Sequence, residues 1–221
     1  MNMQIRWKKV AALSFALGGL QYLLAEKIAA LAWTAPLYHY GLNYISDLGI
    51  PRCGVLSDGR AVCSPLHAVM NIGFAVEGLL FFTACLLLHE VFNGTGKMLF
   101  LLTASLHGVG GIIIALFHSG SGEGGFTLHE AGAVMAIGGG NLCLITVGWL
   151  MRHRTGLRDF TLFSLFMGSF GLLCMVIIPL DLLPTGLIER ASVYPITFWQ
   201  IFTGCMLLKA SCSKVSGRTR L

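Results

Sequence analysis

Charge is scarce in this chain. Only 11% of its 221 residues are Asp, Glu, Lys or Arg, 55% are hydrophobic, and mean hydropathy is +0.76. Soluble domains carry about a quarter charged residues and need polar helix faces to meet water, so that class is excluded. No Cys-x-x-Cys or His-x-x-x-His spacing occurs, which removes the compact signatures of a metal site. The glycine-rich turn at 118–125 lacks the Lys and Ser/Thr of a phosphate-binding loop, so nucleotide binding has no motif to rest on. Internal repeats, the usual mark of carrier symmetry, are missing too.

Long apolar runs are what the chain does have. Six of them, near 10–31, 65–88, 98–117, 127–151, 160–183 and 187–208, reach the roughly 20 residues that cross a hydrocarbon core. Their connections leave no room for a soluble domain. The expected fold is therefore all-α: a polytopic membrane helix bundle with six transmembrane helices, residues 1–221 forming one membrane domain with a long outer loop at 32–64. The first run is longer than the apolar core of a cleavable signal peptide, and no small-x-small site follows before Glu26-Lys27, so it reads as an uncleaved span.

Basic residues set an expected orientation. With both termini inside, Arg6, Lys8, Lys9, Lys97, Arg152, Arg154, Arg158, Lys209, Lys214, Arg218 and Arg220 face the cytoplasm, eleven against the outer four, Lys27, Arg52, Arg60 and Arg190. The net charge of +5 then reflects topology and contact with anionic membrane lipids, not nucleic-acid binding. This pattern suits a plasma membrane, the inner membrane if the source is bacterial. Of the seven cysteines only Cys53 and Cys63 share the outer compartment. Their spacing permits a disulfide, with two free thiols as the alternative.

The outer loop is long enough to suggest a function. Its Trp33, Tyr38, Tyr40 and Tyr44 suit the headgroup zone, which makes an interfacial segment capping the bundle the plain reading. Within it, Ser46-Asp47-Leu48-Gly49 places a carboxylate in a turn, where it can cap a helix or ligate a cation. The stretch Asn43-Tyr44-Ile45-Ser46-Asp47-Leu48-Gly49, after a first membrane helix and before Ser64-Pro65-Leu66-His67, resembles the signature of an integral-membrane family catalogued as domain of unknown function 998. The resemblance covers roughly residues 10–208 and implies a bundle of about six spans. It implies no activity, because that family has none assigned. A similar Ile-Ser-Asp-x-Gly stretch is found in membrane proteins of the autophagy-modulator type.

Polar residues gather toward the outer ends of the runs: Glu26, Asp47, His67, His118, His129-Glu130, Asp181 and Glu189-Arg190. Three histidines with carboxylates match the ligand chemistry of a catalytic zinc. The candidate ligands are His67, His118, His129 and Asp181, with Asp47 as an alternative fourth ligand or supporting partner. Asp47 and Glu130 are the candidate proton-handling groups. The competing reading is a set of histidines satisfied at the interface. The layer is similar to that of alkaline-ceramidase-type hydrolases, but their closing His-x-x-x-His helix and seventh span are missing, so their ligands do not transfer.

Deeper in the membrane, Glu77, His107 and Asn141 fall at similar depth, and His107 and His118 lie three turns apart on one helix face. An unpaired charge there is costly, so a Glu77–His107 pair joined by Asn71 or Asn141 is expected, either as interhelical glue or as the end of a proton path from His118. The glycine-rich turn reads as a plain loop or as a cradle for an anionic headgroup. Gly132, Gly138, Gly139 and Gly140 are expected to let helices approach closely. Three functions follow: an outer-face metal-dependent lipid hydrolase or transferase, a small proton-coupled transporter, or a non-catalytic membrane scaffold.

Overall fold

The computed structural model describes residues 2–56, 58–120 and 126–216, with side chains from 6 to 211. Residues 121–125 of the glycine-rich turn lie outside the described residues, as do Arg218 and Arg220 of the basic tail. The helices are α1 (Asn2–Ala32), α2 (His67–Leu88), α3 (Gly94–Leu116), α4 (Leu128–Ala133), α5 (Gly139–Met151), α6 (Arg158–Ile177) and α7 (Thr185–Ser216). A π-helical turn at Val134–Gly138 joins α4 to α5 as one span. Six helical segments are long and apolar enough to cross a membrane, from Arg6–Ala32 to Thr185–Ser211. They coincide with the six apolar runs apart from small differences at their ends. The chain is a multi-pass membrane protein.

Side-chain placement follows the solvent. Along α1, Leu13, Leu17, Leu20, Leu24, Ile28 and Leu31 form an exposed stripe, while Ala12, Ala16, Ala25 and Ala29 are buried with Glu26. Large aliphatics outside and small or polar residues inside suit a helix whose surroundings are lipid, where small residues let backbones pack closely. Gly78 of α2 shows this: a Cβ there would stand 2.9 Å from the carbonyl oxygen of Gly108 on α3.

Each span packs on its neighbours in sequence, and α7 closes the ring against α1. The loop-bearing end holds one apolar cluster around Trp33, Leu48, Ile50 and Met70, and the other half of the bundle holds a second around Phe15, Phe81, Leu144 and Trp199. We call the ends the loop end and the tail end, the latter carrying both termini.

The loop between α1 and α2 folds back onto the helix ends. A 3-10 turn at Ser46–Gly49 presses Leu48 into the bundle, and a two-residue hairpin, β1 (Gly54–Val55) and β2 (Ala61–Val62), projects beyond it. Cys53 and Cys63 are disulfide-bonded across the base of that hairpin. Trp33 is 2% exposed and packs on Tyr38 at 5.2 Å between ring centres, so the headgroup placement expected for Trp33 is corrected. The folded-back loop gives that ring protein neighbours in place of lipid.

A candidate proton site in a cavity at the loop end

The mid-membrane pair forms. The Nε2 atom of His107 on α3 lies 3.0 and 3.1 Å from the two carboxyl oxygens of Glu77 on α2. Its Nδ1 lies 2.7 Å from the Ala136 carbonyl in the π turn. That oxygen can only accept, so Nδ1 carries the hydrogen. A hydrogen bond between Nε2 and the Glu77 carboxyl then requires one proton between them, on the acid or on the imidazole. The third partner is Gln200 of α7, whose amide donates to Glu77 Oε1 at 2.7 Å.

The expected third partners are corrected. Asn71 donates to Gly49 O at 2.9 Å, and Asn141 donates to Ile137 O and Ser192 O, each at 2.9 Å. Both amides serve backbone carbonyls, of the loop, the π turn and α7, instead of the pair. Gln200 went unread in the sequence, although a polar side chain near the middle of the last run is the same signal that exposed Glu77.

Local geometry holds the imidazole in place. Gly140 lies one turn past Ala136, and a Cβ on it would stand 2.7 Å from His107 Nδ1. The glycine run thus lets α3 lie against the π turn so that the ring reaches a carbonyl. A π turn adds a residue to the helix repeat and recurs at functional sites.

Beside the pair is a cavity of about 60 Å³, bounded by Glu77 and His107 at one end and by Ser46, His129 and Glu189 toward the loop end. At roughly 30 Å³ each, it has room for about two waters. Ile45 forms part of the roof and donates its backbone N–H to the Glu189 carboxylate. His118, expected as the upper step of a proton path, is not among the lining groups; His129 takes that place. The α3 helix ends at Leu116, before His118 can continue the face that carries His107.

Next to the cavity, Arg190 ties the loop down. Its Nε donates to Glu26 at 3.0 Å, and its other nitrogens donate to Tyr40 O at 2.6 Å, to Asn43 O and Gly186 O at 2.9 Å, and to the Tyr38 hydroxyl. Tyr194 donates to the far oxygen of Glu26 at 2.9 Å. Asp47 is fully buried in the 3-10 turn, gripped by Arg60 and accepting the Tyr44 N–H at 3.0 Å. Burial pushes its carboxyl above the ordinary carboxylate value, against the pull of Arg60.

The remaining candidates sit at separate helix ends, with His129 near enough to His118 and Asp47 to feel their charge. His67 turns Nδ1 toward Ser64 O (3.2 Å), His118 toward Ser119 O (3.3 Å) and His129 toward Phe117 O (2.8 Å). Glu130 closes a capping box with Thr127 and is exposed. Asp181, also exposed, ends a 3-10 turn at φ 50°. Among the described residues no group of three or more His, Cys, Asp or Glu is arranged to hold a metal ion. His67 and His118 turn to carbonyls of their own turns, whereas His129 of α4 reaches the Phe117 carbonyl at the end of α3, beside His118. No family model matches the chain, nor does any curated protein or solved structure.

Proposed function

We propose that this protein is a small proton-coupled membrane transporter in which Glu77 and His107 bind the coupling proton. The observation that carries the reading is the cavity joining the pair to Ser46, His129 and Glu189. A polar tie that served packing alone would be sealed by neighbouring side chains. This one has space for a short water file on the loop side and a packed aromatic floor, Phe81 lying 4.4 Å from the His107 ring. One proton bound between the two groups leaves the pair neutral overall. Releasing it leaves a carboxylate beside a neutral imidazole, an arrangement that a low-dielectric interior disfavours unless a cation or a moving helix compensates. Binding and release of that proton thus bias the packing of α2, α3 and α7, which all contact the pair.

The excess of Lys and Arg near the termini supports a cytoplasmic tail end, with the loop end outside a plasma membrane, the inner membrane if the source is bacterial. The zinc-hydrolase reading, on His67, His118, His129 and Asp181, draws no support from the described residues, among which no group of three or more His, Cys, Asp or Glu could hold a metal ion.

The test is a dye-reported proton flux assay on the reconstituted protein in proteoliposomes under an imposed potential. Proton uptake by the parent is expected, and it should fall in both the Glu77→Gln and the His107→Asn variant. Parent flux equal to that of both variants, in protein that still elutes as a single species, refutes the reading.

A further inference from the structure

A second cavity opens at the tail end, and it shares no lining residue with the first. Its volume is about 390 Å³, within the range of roughly 300–1,000 Å³ typical of small-molecule sites. Phe15, Phe100 and Trp199 form its deep wall, and its mouth carries Lys8 and Arg154. Phe15 packs edge-on against Phe81 at 5.4 Å and against Trp199 at 5.6 Å. Between Trp199 and Ala210 the wall follows α7 for eleven residues, about 16 Å at 1.5 Å per residue. That depth suits an aliphatic chain better than a compact polar metabolite.

The polar groups on the wall are few and placed by depth. Thr203 lies about one turn below Trp199, and its buried hydroxyl has no hydrogen-bond partner among the described residues. Among those residues no Asp or Glu lines the cavity; Glu90 and Asp159, the acids nearest the mouth in sequence, are not part of its wall. Lys8 is exposed and forms no ion pair among the described residues. Arg154 donates one N–H to Val91 O at 2.9 Å, which holds its guanidinium at the rim. The result is a deep apolar slot with positive charge at its entrance.

We infer that this cavity binds one acyl chain of an amphiphile with an anionic head, the chain running up α7 to Trp199 and the head meeting Lys8 and Arg154. A free fatty acid and an acidic phospholipid both carry that chemistry. The site is independent of the Glu77–His107 reading and stands or falls without it.

Trp199 is 1% exposed, so bulk lipid cannot touch it, and a chain in the cavity can. The experiment uses the full chain in neutral-lipid nanodiscs, with exposed Trp7 and Trp149 replaced by Phe and a Trp199→Phe protein as background. Brominated fatty acid, brominated phosphatidylglycerol and brominated fatty alcohol are titrated while Trp199 emission is read. Saturable quenching by an anionic probe is expected. The Lys8→Gln/Arg154→Gln protein should need about tenfold more of that probe and no more of the alcohol. Thr203→Phe, which fills the slot, should abolish the saturable component in protein that still elutes as a single species. Saturation by the fatty acid alone assigns a free acid, by the phospholipid alone a membrane lipid, and by both an anionic head of either kind. Absence of saturable quenching by either anion overturns the inference. So does equal quenching by alcohol and anions in both the parent and the charge-deleted protein.

Discussion

Replacing Arg190 by Met is expected to destabilise the protein by about 3 kcal/mol, the lower end of the range of roughly 3–5 kcal/mol for breaking a buried ion pair. The side chains of Glu26 and Arg190 are only 2% and 7% exposed, so solvent does little to screen them. Methionine approximates the volume of arginine, so the loss is electrostatic more than steric. Three carbonyls, of Tyr40, Asn43 and Gly186, lose a charged donor, and Glu26 loses its ion-pair partner. The lower end applies because the Tyr194 hydroxyl still bonds Glu26 at 2.9 Å. Adding Glu26→Gln to Arg190→Met should therefore cost almost nothing further. Glu26→Gln alone should cost less than Arg190→Met, since four oxygen partners remain around the guanidinium. Thermal or denaturant unfolding in micelles gives the stabilities, and hydrogen exchange at residues 40–43 reports whether the loop is released first. If the two single effects add to within about 0.5 kcal/mol in the double variant, the groups do not act as a pair and the reasoning fails.

Three further perturbations test other parts of the structure. Gly140→Ala places a methyl 2.7 Å from His107 Nδ1, so it should cost about 1–3 kcal/mol and lower proton flux as His107→Asn does; unchanged flux would show that the ring needs no such fit. Cys63→Ser opens a bridge between residues ten apart, expected to lower stability by about 2–3 kcal/mol from loop entropy, and adding a reductant should lower the parent's melting temperature to that of the variant. Arg60→Met removes the cation that opposes the burial-raised pKa of Asp47. A carboxyl that binds its proton more tightly when folded loses stability as pH rises from its unfolded to its folded value. The variant's folded value lies higher still, so its deficit relative to the parent should be small near pH 4 and larger near pH 8. A deficit that shrinks with rising pH would contradict this sign.

The architecture was legible because lipid imposes a single rule on every span: about 20 apolar residues with the backbone satisfied internally. Lengths and charge positions alone located all six helices. The Glu77–His107 pair was legible for a related reason. Both residues are expensive at mid-depth, and they lie on consecutive spans that must pack together. The Cys53–Cys63 bridge could be read as one permitted pairing, and the loop's close fit over the helix ends decides which way its rings turn.

What stayed hidden was azimuth and distance across the bundle. Sequence gives the depth of each polar residue, but depth alone made His67, His118, His129 and Asp181 look like a set. Each belongs to a different helix end, and backbone carbonyls are the partners of the three rings, that of Phe117 beside His118 serving His129. Gln200 shows the converse. The α7 helix packs chiefly on α1 and α6, yet its glutamine reaches Glu77 through the centre of the ring, a contact that neighbour-to-neighbour reasoning does not generate. The π turn was equally out of reach, since its three flanking glycines signal close packing without saying that Ala136 will offer its carbonyl to an imidazole. That carbonyl determines the chemistry. It fixes the Nδ1 hydrogen and so turns Nε2, the ring's other nitrogen, to the Glu77 carboxyl as a polar tie between α2 and α3 beside the cavity.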